Sequence, residues 1–575
     1  RGYTAWDPTS YAFIKENTLC IPTVFCSYGG EVLDKKTPLL RSMDVINVQA
    51  LRILRLFGNN DVTHVTTTVG PEQEYFLVDK ELYKKRKDLR FTGRTLFGAK
   101  PPKGQELDDH YFGAIRPRVM EFMADLDEEL WKLGILAKTE HNEVAPAQHE
   151  LAPIFTNTNM SCDHNQLTME LMKKVADRHG LVCLLHEKPF AEVNGSGKHI
   201  NWSLATDNGL NLLDPGRTPS ENAQFLLFLC AVIKGVDEYQ DMLRAVVATA
   251  GNDHRLGANE APPAVISMFI GEELMDILES IEKGTVYKDR VASHMEIGVD
   301  TLPLFRRDTT DRNRTSPFAF TGNKFEFRML GSSQSIAGPN IVLNTIVAEE
   351  LEQFADALEG AGDFKETLNG LIRKTISEHK RIIFNGNGYE DAWLEEAARR
   401  GLSNYRTTPD AMPHYVDAKN IALFTKHKVF TEVEMRSRCE VHLENYCKVI
   451  RIEALTMAEM VRKDIIPAAY TYLKRLSETA VAVKTACPEL DCAMEINMLK
   501  YLRTLTDSLY VNINRLEGIL TEAEECGSAE DAALYYRDKV LPVMGELRSA
   551  ADEIERFVGE KYWPYPTYGE LLYSV

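Results

Sequence analysis

Glu72-Gln73-Glu74 places two carboxylates at alternate positions in an otherwise apolar setting. The tripeptide follows a β-branched run, 66–69, and the pair Gly70-Pro71, and it precedes the apolar run 75–78. In a strand, residues i and i+2 share a face, so Glu72 and Glu74 are expected to project side by side. Carboxylates so placed repel each other unless water or a cation neutralises them. E-x-E alone is most simply a solvated strand face. The apolar flanks argue for partial burial, and what decides between water and a cation is whether the rest of the chain supplies matching ligands.

It supplies several. Glu143 and Glu150 lie in H-N-E-V-A-P-A-Q-H-E-L, 141–151, whose H-E-L-A-P end lacks the second histidine of a zinc-protease motif. In N-G-S-G-K-H-I-N-W-S-L, 194–204, glycines permit close approach of backbone to a ligand. Beyond them His199, Asn201 and Ser203 share one strand face, and Ile200, Trp202 and Leu204 the other. Taken alone, His199 reads equally well as a satisfied buried histidine. Residues 324–329 alternate strictly, with Lys324, Glu326 and Arg328 opposite Phe325, Phe327 and Met329, which alone is an ordinary amphipathic strand. Summed, Glu72, Glu74, Glu143, Glu150, Glu326 and His199 are hard ligands suited to Mg²⁺ or Mn²⁺ over zinc. Arg255, Arg314 and Arg328 offer planar forks for carboxylate or phosphate. Metals on phosphates and arginines on an acid are what ATP-dependent activation of a carboxylate requires.

The elements that must position these residues follow from pattern. A strand is expected over 20–27 and a helix over 39–57, closed by Gly58-Asn59-Asn60. Residues 80–110, basic and punctuated by Gly and Pro, read as a long surface insertion. Helices are expected over 115–133 and 165–179, with a buried strand at 181–185. Thr218-Pro219-Ser220-Glu221 has the form of a capping box opening a helix with the apolar run 225–233. Residues 340–400 and 419–560 are strongly helical, with a core stripe through Leu499, Leu502, Leu505, Leu509, Ile513, Leu516 and Leu520 and a further helix over 528–558. The ending W-P-Y-P-T-Y-G-E-L-L-Y reads as a docking segment.

At 575 residues the chain exceeds what one core supports, so two or three domains are expected. Its net charge of −19 disfavours nucleic acid and anionic membrane as partners. The ten cysteines are scattered without a C-x-x-C pair, which reads as reduced cytoplasmic thiols. There is no secretory signal pattern and no apolar run of about 18 residues.

The ordered set G-P-E-Q-E-Y, E-V-A-P-A-Q-H-E, N-G-S-G-K-H, R-L-G-A-N-E-A-P, N-R-T-S and F-E-F-R resembles glutamine synthetase over residues 66–340. The size, the strand N-K-F-E-F-R-M-L, the missing adenylylation tyrosine loop and the long helical C-terminal region resemble its type III branch. The resemblance implies an α+β fold: a curved antiparallel sheet flanked by helices, followed by a helical C-terminal region. The implied domains are 1–65, the end of a β-grasp-like region and linker; 66–400, catalytic; and 401–575, helical extension and docking tail. It implies that Glu74, Glu143 and Glu150 hold one Mg²⁺ or Mn²⁺ near glutamate and ammonia, and that Glu72, His199 and Glu326 hold a second near the ATP phosphates. Asn194, Gly195 and Gly197 would seat glutamate beside His199, with Arg255 on its α-carboxylate and Arg328 nearby. Arg314 would stabilise the transferring phosphoryl group, and Glu260 would close the site and take a proton from the ammonia adduct. Asn201, Ser203 and Lys324 would line the nucleotide site. Two departures bear on ATP contact: Asn201 stands where the family's second histidine is usual, and Ala319 where a second arginine is.

The implied reaction makes L-glutamine from L-glutamate, ammonia and ATP through γ-glutamyl phosphate, in a cytoplasmic dodecamer of two hexameric rings. The family's D-G-S-S-like loop, whose aspartate helps deprotonate ammonium, has no counterpart here. Either it is expected upstream of Arg1, or Asp34 or Asp44 takes the role. Two rivals stay open: a ligase using a larger amine, which Glu260 in N-E-A-P argues against, and a non-catalytic relative, which the six clustered ligands argue against.

Overall fold

The computed structural model describes residues 2–257, 261–287, 294–295, 305–306 and 315–575. Two sheets carry the middle of the chain. The first orders Met268–Phe269 (β8), Phe318–Phe320 (β9), Phe325–Phe327 (β10), Ile200–Thr206 (β7), Val65–Pro71 (β1) and Thr156–Asn157 (β5). It is antiparallel except where β8 meets β9. The second orders Leu181–Leu184 (β6), Gln73–Asp79 (β2), Gln148–Pro153 (β4) and Ala137–Asn142 (β3), all antiparallel. Helices flank both, giving an α+β fold.

The single strand expected through Glu72 and Glu74 is two strands, and Glu72 is the crossing from one sheet to the other. Pro71 has no amide hydrogen to continue a ladder. The amides of Glu72 and Glu74 instead donate to the carbonyls of His199 (2.8 Å) and Gly197 (3.3 Å), so the crossing stays tied to the segment that carries the histidine.

Alternation sorts the faces. Ile200, Trp202, Leu204, Phe325 and Phe327 are all buried in a core shared with Lys36–Leu56 (α1) and Ala337–Glu359 (α5), and the Trp202 indole donates to Asn344 at 3.0 Å. Each such side chain contributes about 1.5–3 kcal/mol by leaving water. The polar alternates are thereby turned the other way. Behind the second sheet, Tyr75, Leu77 and Leu151 pack with Phe122 and Leu126 of Pro117–Lys132 (α2) and Leu171 and Met172 of Thr158–Arg178 (α3).

Three local expectations change. Residues 20–27 split at Pro22: Thr18–Cys20 pairs with Phe13–Lys15, and Thr23–Ser27 with Gly2–Trp6. Thr218 caps nothing; the helix begins at Ala223, where Asn222 Oδ1 accepts the Phe225 amide at 3.1 Å. Residues 80–110 are more than surface. Arg86 and Asp88 form a buried pair at 2.6 Å, and Leu96 and Phe97 are in the core. Arg94 grips Glu453 of Glu432–Met460 (α6) through two bonds of 2.8 and 2.6 Å. Composition alone does not separate paired, buried charges from solvated ones.

In the C-terminal region, Leu502, Leu509, Ile513, Leu516 and Leu520 of Ala493–Glu522 (α7) are buried, while Leu499 and Leu505 are partly so. The last residues form Tyr568–Tyr573 (α9), which follows Leu541–Phe557 (α8) and docks Tyr568, Leu571 and Leu572 beside Phe76, Val78 and Phe190.

Behind the second sheet, the Glu140 carboxyl is buried against that of Asp127. Burial, then the charge of Asp127, pushes Glu140 up to about 9. The folded chain thus holds a proton that the unfolded chain releases above the ordinary carboxylate range. This contribution to stability is fully present below that range and is lost as pH rises toward about 9, by up to roughly 1.4 kcal/mol per pH unit. Glu140→Gln is expected to raise the melting temperature over wild type by more at pH 8 than at pH 5.5; parallel melting profiles would show that Glu140 is charged in the fold.

Candidate metal and substrate site

The crossing at Glu72 brings the first cluster together. His199 Nδ1 lies 3.1 Å from Glu72 Oε2 and 3.2 Å from Glu326 Oε1, and its Nε2 is 3.7 Å from Glu74 Oε1. Asn201 and Glu326 are opposite in register on β7 and β10, which sets the Glu326 carboxylate beside the histidine. Asn201 Nδ2 donates to Glu72 Oε1 at 2.9 Å, and Arg328 Nη2 to Glu326 Oε2 at 3.1 Å. Burial works against charge on His199, but hydrogen bonds to Glu326 and Glu72 outweigh it and raise the imidazole to about 10. Burial likewise opposes charge on Glu326, yet the His199 bond and the Arg328 charge hold it well below the usual carboxylate range.

The second cluster lies across β2, β4 and β3. Glu74 faces Glu150 in register, and Glu150 faces His141. His141 Nε2 is 3.1 Å from Glu150 Oε1, and His141 Nδ1 is 3.8 Å from Glu143 Oε1. The Glu150 bond, against burial, raises His141 to about 9. Burial raises Glu150 itself, with the His141 bond opposing and Glu72 and Glu74 adding to it. Glu74 thus bridges the clusters, within 3.7 Å of His199 on one side and paired with Glu150 on the other.

Each cluster offers three ligand atoms within 4.8 Å of one another: Glu72, His199 and Glu326 in one, His141, Glu143 and Glu150 in the other. The donors are carboxylate oxygens and imidazole nitrogens, the set a divalent cation takes. Glu150 Oε2 is buried with no hydrogen-bond partner among the described residues, and Glu143, Glu150 and His199 are each under 5% exposed. So much buried negative charge calls for a counter-charge, and the residues fit a metal. A third grouping, Glu349, Glu352 and His427, carries its own cation: Lys426 lies 2.7 and 2.9 Å from the two carboxylates.

Beside the clusters runs the glycine-bearing loop. Asn194 is buried in a reciprocal pair with Gln105, and the Gly195 carbonyl accepts from Gln148 at 2.9 Å. A Cβ on Gly195 would fall 2.4 Å from the Glu187 carbonyl, and one on Gly197 would fall 2.2 Å from Arg255 Nη2. The first is against fixed backbone, so Gly195 is dictated by close approach, whereas a Cβ at Gly197 would require the buried Arg255 guanidinium to shift. The Gly197 amide donates to Glu74 Oε2 at 2.5 Å. Arg255 is buried, its fork on the carbonyls of Arg328 (3.1 Å), Met329 and Leu330. Ser203 donates to the Asn323 carbonyl at 3.0 Å, which sets the turn bearing Lys324 beside it. Glu260 and Arg314 lie outside the described residues.

Sequence reasoning passed over His141, although it stands two residues before Glu143, the same spacing that singled out Glu72 and Glu74. Tyr111 was also missed; its ring meets that of His141 at 6.0 Å, edge to face. Asp34 is occupied, accepting the amides of Phe25 and Thr37 at 2.6 and 3.0 Å.

Residues 50–266 match the glutamine synthetase catalytic domain, 1–42 the glutamine synthetase type III N terminal, and 367–484 the glutamine synthetase C-terminal domain. Three relatives align with the whole chain. A glutamine synthetase of Butyrivibrio fibrisolvens is 52% identical over 100% of this chain and 82% of its own length. A type-3 glutamine synthetase of Dictyostelium discoideum is 45% identical, over 100% and 80%. A glutamine synthetase of Bacteroides fragilis is 43% identical, over 100% and 80%. The chain belongs to the glutamine synthetase family. Within that family it is of type III.

Loss of a direct ligand is expected to weaken Mn²⁺ binding, titrated by calorimetry on the full-length protein, at least roughly tenfold for His199→Ala and for Glu150→Gln. Glu352→Gln should leave it unchanged. Equal losses in all three would mean that the first two clusters hold no metal.

Proposed function

We propose that the two clusters hold two divalent cations, Mg²⁺ or Mn²⁺, and that the residues around them carry glutamate and ATP through phosphorylation and amination. The class of reaction comes from family membership: the chain is a glutamate–ammonia ligase making glutamine. The observation that carries the assignment of the site is the continuous run His199–Glu74–Glu150–His141, which joins both clusters in one place.

When bound, the metals neutralise phosphate charge and draw protons off the imidazoles. The chain's own groups do the rest. In the first step a γ-carboxylate oxygen of glutamate attacks the γ-phosphorus of ATP, the phosphoanhydride bond breaks and ADP leaves. Arg328, aligned by its bond to Glu326, is assigned to the bound glutamate, to which it would present a planar cation, and Arg314 is assigned the transferring phosphoryl group. Asn201, Ser203 and Lys324, on the face shared with the first cluster, are assigned to the nucleotide. In the second step ammonia attacks the acyl carbon and phosphate leaves; Glu260 takes the proton. Asn194, Gly195, Gly197 and Arg255 are assigned to glutamate, with Arg255 lying directly against Gly197.

The assembly proposed is a dodecamer of two hexameric rings. In its support, Trp6, Tyr11, Ile14 and Tyr28 are left exposed near the N-terminus, apolar surface suited to a neighbouring subunit. A reduced, cytoplasmic setting is supported by ten free thiols. Among the described residues no helix is long and apolar enough to cross a membrane.

Phosphate release from ATP, assayed with glutamate and ammonia or larger amines, tests the reaction; ammonia-independent turnover, or preference for a larger amine, would overturn it. Arg255→Ala should chiefly raise KM for glutamate, by roughly tenfold or more, because it binds a ground-state carboxylate. Arg328→Lys should lower kcat as well, because an ammonium cannot reproduce the fork. The same pure KM effect in both variants would erase this division of roles.

A further inference from the structure

The docking tail takes no part in either cluster, yet its hydroxyls end on the loops that hold Asn194. Tyr568 Oη lies 2.6 Å from Thr95 Oγ1 and accepts the Ala191 amide at 3.1 Å and Arg548 Nη2 at 2.8 Å. Its ring stands edge-on to Phe190 with centroids 5.4 Å apart. A Cβ on Gly98 would fall 2.1 Å from that ring, so the 98–105 loop lies directly on it. Tyr573 Oη donates to the carbonyls of Gly104 at 2.8 Å and Lys103 at 3.1 Å. The next residue, Gln105, closes the pair with Asn194: Gln105 Nε2 donates to Asn194 Oδ1 and the Asn194 amide to Gln105 Oε1, both at 2.8 Å.

Asn194 is therefore gripped between two loops, each pinned by a tyrosine from the last eight residues of the chain. Away from the Tyr568 ring the two loops are not closely packed. Between them lies a cavity of about 560 Å³ bordered by Gln105, Glu106, Glu192, Val193 and Tyr568. Nor does the 191–194 loop rest in an easy conformation: Glu192 has φ +63°, the left-handed region, which persists only where surroundings enforce it. The Ala191 amide on Tyr568 and the Asn194 amide on Gln105 bracket that residue.

We propose that Tyr568 and Tyr573 are positioning residues for glutamate, holding Asn194 in place through the two loops. The proposal rests on the reading of Asn194 as part of the glutamate seat. Its particular claim is selectivity: the tail acts on glutamate binding and leaves phosphoryl transfer alone, because the hydroxyls reach the Asn194 loop and not the clusters.

Steady-state kinetics on the full-length enzyme test it, with Asn194→Ala as reference. Tyr573 is half-buried and, among the described residues, its hydroxyl bonds only to backbone carbonyls, so Tyr573→Phe should fold. It is expected to raise KM for glutamate about three- to tenfold, with kcat and KM for ATP within about twofold. Tyr568→Phe should act in the same direction and more strongly. Tyr573→Phe added to Asn194→Ala should raise KM no further than Asn194→Ala alone, since both act at one residue. If Asn194→Ala raises KM for glutamate and Tyr573→Phe does not, or if Tyr573→Phe moves kcat, both KM values and the melting temperature together, the positioning role is overturned and the tail is merely structural. If Asn194→Ala itself leaves KM for glutamate unchanged, the seat has been misassigned and the tail's role on glutamate falls with it. Should Tyr568→Phe not fold, Tyr573→Phe still decides.

Discussion

His199 Nδ1 shared between Glu72 and Glu326 is the contact on which the arrangement of both sheets turns. One carboxylate arrives from the crossing after β1, the other from β10, and the imidazole from the segment entering β7. Buried carboxylates in this number would push each other apart. Hydrogen bonds to these carboxylates raise the imidazoles of His199 and His141, which favours positive charge among the acids. The protein is thereby built around a charge deficit that its own histidines fill in part and a divalent cation can fill better.

The deficit explains why the surroundings are so heavily bonded. Asn201 and Arg328 each aim a donor at a carboxylate oxygen of the first cluster, fixing which oxygens are left for a ligand. Behind them Gln73 donates to the Ser332 hydroxyl at 2.9 Å, and that hydroxyl donates to the Glu74 carbonyl at 2.6 Å. The short strands bear acidic groups on one face only because the opposite face is locked to α1 and α5 by Trp202, Phe325 and Phe327. A one-residue slip would bury the acids in that core and expose the aromatics, so the register is strongly specified.

That logic was legible in the sequence wherever it is periodic. Alternation at 199–204 and 324–329 announced both faces, and the helical stripe through Leu502, Leu509 and Leu516 announced the C-terminal core. It failed where a break or a partner decides. The crossing at Glu72 depends on Pro71 ending one ladder while the His199 carbonyl starts another, a pairing 127 residues away in sequence. His141 went unassigned because its partner Glu150 is fixed by the β3–β4 register, not by any local pattern. Residues 80–110 looked solvated because charge content does not reveal that Arg86 meets Asp88 in the dark or that Arg94 meets Glu453.

The same failure marks where the helical C-terminal region meets the catalytic sheets. Arg94 and Glu453 form a bidentate pair whose carboxylate is almost fully buried. His254 and His186 lie close enough to that pair for its charges to act on both, and burial holds both below the ordinary histidine range. His254 directly precedes Arg255 on Ala250–Arg255 (α4). A neutral histidine pair costs nothing in charge there, whereas a protonated one would add cations next to an arginine that already donates to three backbone carbonyls. The buried Arg94–Glu453 pair is thus better understood as fixing one arrangement than as adding stability, because paired buried ions seldom exceed the cost of drying them. The helical extension is then part of what gives the Arg255 segment a single position, and the length of chain beyond the catalytic sheets has a physical use without any residue of its own in the clusters.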